Sequence, residues 1–407
     1  MKPIRNRFKP RYDAIVVGAR AAGAATAMLL ARAGLSVLAI DRGREGTDAL
    51  STHALMRAGV LQLHRWGLLD RLRAAGTPAV QAAVFHYGAD AVEVAVKPRD
   101  GVDGLYAPRR TLLDPLLVEA AREAGAQVEH RVGVHALVGG GGTGTRVRGV
   151  VLVAEEGPPA VIEAGIVIGA DGLRSRVAAH AHAPFEHVGA HATAVVYGHW
   201  EGLPALDRGY GWYYAPGASA GAVPTNDGRT CLFVAMPRRR FIAGYAGAGL
   251  DRLYRAVLAE AAPGYAAALP GARLDGKLWA FPGEPGYLRR AHGPGWALVG
   301  DAGHDTDPLS AHGLTAALRD AEFLARAVVA GGGDAALAGW QALRDGASRG
   351  FLQVSDRIAS FAWDLDTIRP LHEVLARELA AETQLVRALD GPAPTPVGPG
   401  EKADRAA

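Results

Sequence analysis

The sequence predicts an α/β fold: a β-α-β nucleotide-binding unit at the N-terminus, a strand-rich insertion, and helices towards the C-terminus. Three observations carry this reading. Residues 12–17 (YDAIVV) are a short apolar run, the pattern of a strand buried on both faces of a parallel sheet. VVGARAAGAATAMLLARAG (16–34) leaves that run through Gly18 and keeps helical spacing to Gly34, a C-cap glycine, before SVLAI (36–40) forms a second strand ending at Asp41. Farther on, FHYGADAVEVAVK (85–97) changes the apolar period from helical to alternating, which marks a different sheet.

The remaining elements follow in order. Residues 55–75 read as a helix with Leu61, Leu63, Trp66, Leu68, Leu69 and Leu72 apolar, and 109–125 returns to helical spacing after the hairpin at 85–97. GGGGTG (139–144) lies between two strand-like runs with no helix after it, so it reads as a hairpin turn, not a second phosphate loop. AGIVIGADG (164–172) is a further buried strand with a glycine turn. Residues 183–284 read as strand-rich, WALVGDAGHDTDP (296–308) as a strand and loop, 313–330 as a helix and 334–388 as helical. The basic N-terminus MKPIRNRFKPR and the Pro/Gly-rich stretch 391–407 read as disordered tails.

Composition narrows the class. A chain of 407 residues exceeds one ordinary core, and 49% hydrophobic with 21% charged residues is the balance of a soluble globular protein. The formal charge is +3, but the first eleven residues hold five positive charges and no acid, so the rest is slightly acidic. A nucleic-acid binder carries its basic excess on the folded body, so none is expected here. The longest uncharged run, 209–226, contains Gly211, Pro216, Gly217, Gly221 and Pro224, which argues against a membrane span. The basic N-terminus lacks the apolar stretch of a secretory signal, and Cys231, the single cysteine, allows no internal disulfide; both fit a cytoplasmic protein.

The loop after the first strand can be read residue by residue. Gly18 permits the tight turn and Gly23 lets the helix pack close to the strand. The middle position of a G-x-G-x-x-G pattern is Arg20, whose guanidinium either turns outward or helps to neutralise a pyrophosphate. Asp41 lies 18 residues after Gly23, where a carboxylate can accept from a ribose hydroxyl. Strand, turn, helix, second strand and terminal acid together point to a dinucleotide.

Four further stretches select which one. GADGLRSRVA (169–178), GDAGHDTDPLSAHGL (300–314), MRAGVLQLHRWGLLDRLRAAG (56–76) and RRTLLD (109–114) resemble, in order, motifs of the FAD-dependent monooxygenases of the p-hydroxybenzoate-hydroxylase-like family. With the N-terminal loop the resemblance spans residues 12–330. It implies a Rossmann-like FAD-binding domain (1–82, 103–182, 285–333), an inserted β-sheet substrate domain (83–102, 183–284) and C-terminal helices (334–390). It implies that Gly18, Gly23 and Asp41 hold the ADP half of FAD, with Arg20 and Arg42 grouped beside them. Arg110 would contact the FAD phosphate region, and Arg57 the FAD or an incoming nicotinamide nucleotide. Asp171 and Gly172 would sit beside the pyrophosphate, Asp301 would bind ribityl or pyrophosphate oxygens, and Pro308, Gly313 and Leu314 would line the isoalloxazine. A helix starting near Gly313 also points its positive end at the flavin's anionic edge.

The resemblance implies NAD(P)H as co-substrate, O2 as oxidant, a flavin C4a-hydroperoxide, and a small electron-rich aromatic or polyketide-like substrate, in a monomer or homodimer. A reductase of the geranylgeranyl-reductase-like branch is the alternative. Halogenation ranks lower, because the lysine that chemistry needs is missing from 77–87. This chain has Ala311 and Thr315 where the motif usually has glycine and asparagine. His53 and His312 are candidate acid/base groups, although His53 fits helix-start packing with Ser51 or Thr52 equally well. Tyr210, Trp212 and Tyr214 share one strand face and suit either a core or a substrate wall. His304, Asp305 and Asp307 on one loop, and His180, His182, His187 and His191 on another stretch, do not form a metal-ligand pattern, so no metal is expected.

Overall fold

The apolar run at 12–17 becomes β1 (Arg11–Val17), the centre of the first sheet, in a computed structural model that describes residues 7–140, 144–154 and 157–389. β1 runs parallel to β2 (Val37–Asp41) on one side and β8 (Ala160–Gly169) on the other. β5 (Gln127–His130) extends the sheet beyond β2, and β17 (Trp296–Leu298) extends it beyond β8, both parallel. β16 (His292–Gly293) pairs antiparallel with β17, while β6 (Val132–Val138) and β7 (Gly149–Ala154) form an antiparallel pair attached to β8. Ala14, Ile15 and Val16, at the centre of this sheet, are fully buried. α1 (Ala21–Arg32) packs against α4 (Arg110–Glu123) and α9 (Gly313–Val329).

Two glycines set the first turn. Gly18 has φ +104°, and a Cβ there would lie 2.2 Å from the Ala170 carbonyl oxygen. A Cβ on Gly23 would lie 1.8 Å from the Gly18 carbonyl oxygen, so only glycine lets α1 approach the strand this closely. The helix expected over 55–75 is broken: α2 (Arg57–Arg65) and α3 (Leu69–Ala74) are separated by Gly67, whose φ of +72° is a left-handed helix stop.

The second sheet has the order β14-β10-β13-β12-β11-β3-β4. These strands are β3 (Ala82–Tyr87), β4 (Asp90–Ala95), β10 (Thr193–Glu201), β11 (Tyr210–Ala215), β12 (Ala218–Pro224), β13 (Thr230–Pro237) and β14 (Arg273–Phe281). All pairs are antiparallel except β11 with β3. One face, with Val196, Leu232, Val234 and Met236, packs under α7 (Leu250–Ala261). The strand-rich reading of 183–284 therefore needs correction over 238–268, which forms α6 (Arg238–Ala248), α7 and α8 (Pro263–Ala268). The 3.6-residue signal is present in Leu253, Tyr254, Val257, Leu258 and Ala261, all buried.

A small sheet of β9 (Phe185–Val188), β15 (Tyr287–Arg289) and β18 (His304–Asp305) lies beside them, and α5 (Arg176–His180) follows β8. α10 (Asp334–Ala359) and α11 (Leu365–Arg387) pack together, and α11 also packs on α2. The break between α10 and α11 is set by Phe361 at φ 51° and by Asp364, which caps α11 through the Thr367 N–H at 2.9 Å. The N-terminal stretch is not all tail: Phe8 is buried, Arg7 pairs with Glu129, and Arg11 opens β1. The other tail reading, 391–407, and part of the expected turn, 141–143, lie outside the described residues. Among the described residues no helix is long and apolar enough to cross a membrane.

Candidate cofactor and active site

The C-terminal ends of β1, β2 and β8 open into a cavity of about 750 Å³ that continues towards the second sheet. Gly18, Arg20, Asp41, Arg42, Asp171 and Gly172 border one end. Asp41 accepts from the Ala19 N–H at 3.0 Å and the Gly43 N–H at 2.7 Å, which fixes its carboxylate at the strand end. The Arg20 guanidinium turns towards the 47–48 loop, donating to Thr47 Oγ1 at 3.1 Å and standing 3.3 Å from Asp114 Oδ2. Asp171 is held within its own loop, accepting from the Arg176 N–H at 2.7 Å and Ser175 Oγ at 2.5 Å. Its burial raises its pKa despite these donors.

The middle of the cavity is charged. Arg110 lines it and forms a two-pronged pair with Asp114 at 2.9 and 3.0 Å. Asp301 and Asp305 line the opposite turn. Burial pushes Asp301 up while Arg110 pulls it back, and Asp305 is raised well above its ordinary range by burial and by the charges of Asp301 and Asp307. The Asp301 carbonyl accepts from the Tyr287 hydroxyl, while its carboxylate has no side-chain partner among the described residues.

The far end is formed by Pro308, Ala311, His312, Gly313 and Leu314, with Val195, Tyr197 and Phe281 from the second sheet. Ala311 has φ 50°, the left-handed conformation that explains glycine as the usual residue at this position. The N-terminus of α9 begins at Gly313, directly on the cavity wall. His53 lies on the same wall with φ 67°, and its Nε2 stands 2.8 Å from Nε2 of His199. Burial drives the pKa of both rings down, His53 well below its ordinary value and His199 to about 4, so the pair is neutral at pH 7. The His53 N–H also donates to Ser51 Oγ at 3.0 Å, so the capping contact expected for this stretch is present too.

Some candidate residues lie elsewhere. Gly23 acts through helix packing and does not border the cavity. Arg57 donates to the Lys97 carbonyl at 2.6 Å, off the cavity, and its Nη1 is buried without a partner among the described residues. Tyr210, Trp212 and Tyr214 do share one face, but none borders the cavity. They are buried with Tyr87, Phe233 and Trp363. His199, Tyr197, Phe281, Arg131 and Arg176 were not legible as site residues. Val195, Tyr197 and His199 alternate along β10, but nothing in the sequence says what that face meets.

The cavity fits FAD. The Gly18–Gly23 cradle leaves no room for side chains where α1 begins, and a helix N-terminus lies at each end of a long cleft. The carboxylate of Asp301, with only a backbone hydrogen bond among the described residues and disfavoured as an anion by burial, suits the hydroxyl donors of a ribityl chain.

Comparison with known proteins agrees with this geometry. The family described as FAD binding domain matches residues 11–240, more than half the chain. Digeranylgeranylglycerophospholipid reductase 1 of Methanopyrus kandleri is 29% identical over 318 residues, 75% of this chain and 77% of that protein. Among solved structures, the flavin-dependent brominase Bmp2 is similar with a TM-score of 0.76 and 18% identity, over 93% of this chain and 92% of that one. PqsL, a probable FAD-dependent monooxygenase from Pseudomonas aeruginosa, is similar with a TM-score of 0.75 and 20% identity, over 89% and 100%. With a nucleotide cradle, a cleft of FAD's character and a match across the N-terminal 11–240 stretch, the chain belongs to the FAD binding domain family and is an FAD-dependent oxidoreductase.

Proposed function

We propose that this protein is a monooxygenase that uses NAD(P)H and O2 to hydroxylate a small electron-rich substrate, aromatic or polyketide-like. FAD, when bound, supplies the two-electron redox chemistry and the activation of oxygen. In the balance of the reaction, NAD(P)H gives two electrons, one oxygen atom enters the substrate and the other leaves as water.

One observation carries the choice: the neutral His53–His199 pair, of which His53 borders the cavity. Hydroxylation of a phenol is helped by an acceptor that holds the hydroxyl in place and polarises its O–H bond towards the ring. Nδ1 of His53 is buried beside the cavity without a partner among the described residues, the state of a group that a substrate hydroxyl would satisfy. With the His53 Nε2–H donating to His199, Nδ1 is an acceptor. Val195, Tyr197, Phe281 and Ala311 give this end an apolar wall that limits water.

The relatedness to a digeranylgeranylglycerophospholipid reductase favours a second reading, saturation of a carbon–carbon double bond. That reaction needs a proton donor, and a histidine pair held neutral at pH 7 is a poor one. A halogenating role lacks support, since no lysine borders the cavity. The test is to reduce the FAD-loaded protein anaerobically with NADPH or NADH and then admit oxygen with candidate phenols. The monooxygenase reading expects oxygen-dependent hydroxylated product. A flavin that reoxidises only by reducing an alkene would establish the reductase.

A further inference from the structure

Residues 49–54, between β2 and α2, all border the cavity. Within them His53 has the left-handed φ of 67°, a conformation that a histidine keeps only where its surroundings hold it. The holding contacts come from the second sheet. The Tyr197 hydroxyl, on β10, donates to the Ala49 carbonyl and accepts from the Ser51 N–H, both at 3.1 Å. Ser51 Oγ in turn accepts from the His53 N–H at 3.0 Å. Asp48, one residue before the segment, accepts from Arg109 at 2.7 Å, and Arg109 also donates to Asp275 of β14 at 3.4 Å.

Packing does not need that hydroxyl. Tyr197 is 3% exposed, and its ring lies edge-on to His53 at 6.4 Å and to His199 at 5.7 Å between centroids. A phenylalanine ring would supply the same wall beside Val195 and Phe281. A buried hydroxyl is costly unless it is hydrogen-bonded, and both of its bonds go to the backbone on either side of Leu50. From there a single step, the Ser51 side chain, reaches the His53 backbone. The ring of His53 is held at its other end by His199, two residues along β10 from Tyr197. One strand thus fixes both the backbone and the ring of His53.

We propose that Tyr197 is the positioning residue for His53, holding its imidazole in one orientation against the cavity through Ser51. A segment freed from Tyr197 would let His53 leave the left-handed conformation, and with it the place from which Nδ1 meets a substrate hydroxyl. Tyr197 itself takes no proton and no electron. The inference rests on the part that the proposed reaction gives His53.

The first test needs neither substrate nor oxygen. The FAD-loaded protein, labelled with 15N at histidine, is compared by NMR with its Tyr197→Phe variant, and the His53 ring is identified by its loss in His53→Asn. The wild type is expected to give one set of His53 ring-nitrogen signals, which Tyr197→Phe broadens or splits. Ser51→Ala, which removes the acceptor of the His53 N–H, is expected to do the same and serves if Tyr197→Phe does not fold. A set already split in the wild type, or one left unchanged by the variants, overturns the proposal. In turnover, Tyr197→Phe is expected to lower kcat for a phenolic substrate by about three- to tenfold with FAD content unchanged. The double variant with His53→Asn should be no slower than His53→Asn alone, and losses that multiply would mean that Tyr197 does not act through His53. A wild type that hydroxylates no phenol sinks the proposed reaction, and the ring spectrum still decides whether Tyr197 holds His53.

Discussion

His53 and His199 meet Nε2 to Nε2 at 2.8 Å, from the loop after β2 and from β10, 146 residues apart in the chain. The loop after β2 contributes one ring and the second sheet the other, so the pair exists only where that loop meets β10. His53 borders the far end of the cavity, and the proposed reaction assigns it a part in holding the substrate.

His53→Asn is the cleanest probe of the pair, because asparagine tolerates the left-handed φ of 67° better than most residues. Loss of this acceptor is expected to lower kcat for a phenolic substrate by about tenfold at neutral pH. Bound FAD should be unchanged. A variant with wild-type kcat would remove His53 from the reaction.

The same rings make stability depend on pH. The folded protein holds His199 at about 4, below its ordinary 6.5, so its neutral form is the one the fold favours. This contribution is fully present above pH 6.5 and is lost as pH falls towards 4. At about pH 5 the loss is on the order of 2 kcal/mol for one such group. Urea unfolding at neutral and mildly acid pH should show a smaller pH difference in His199→Gln than in the wild type. Equal differences would mean that His199 is not buried as a neutral ring.

Asp301 tests the cofactor cleft. Asp301→Ala should weaken FAD binding at least tenfold, about 1.4 kcal/mol, as read by the quenching of flavin fluorescence. Relief of repulsion with Asp305 would work in the opposite direction, so unchanged affinity would mean that Asp301 makes no contact with the cofactor.

Much of this was legible in the sequence, and for identifiable reasons. Gly18, Gly23 and Asp41 are dictated by backbone sterics and strand ends, which are local, and the β-α-β unit follows from them. The alternation of Tyr210, Trp212 and Tyr214 fixed their shared face, but a period of two cannot say whether a face meets core or ligand. The helices at 238–268 were hidden by the strands around them, although their apolar spacing was helical. His199 was out of reach altogether. It acquires its role from a partner 146 residues away, and no local pattern encodes such a contact.

Arg20 gives a quieter expectation. Its guanidinium is engaged by the 47–48 loop and is partly exposed, so Arg20→Ala should change stability by less than about 1 kcal/mol and FAD affinity only slightly. A tenfold loss of flavin affinity would place this side chain on the pyrophosphate in the loaded protein.

The most direct test of the account is the fate of oxygen. The FAD-loaded protein would be supplied with NAD(P)H, a phenolic substrate and 18O2, and the product analysed by mass spectrometry. The account expects one 18O atom in the product, with the label lost when oxygen is withheld. A product that gains two hydrogens and no label would contradict it and assign the cavity to a reductase.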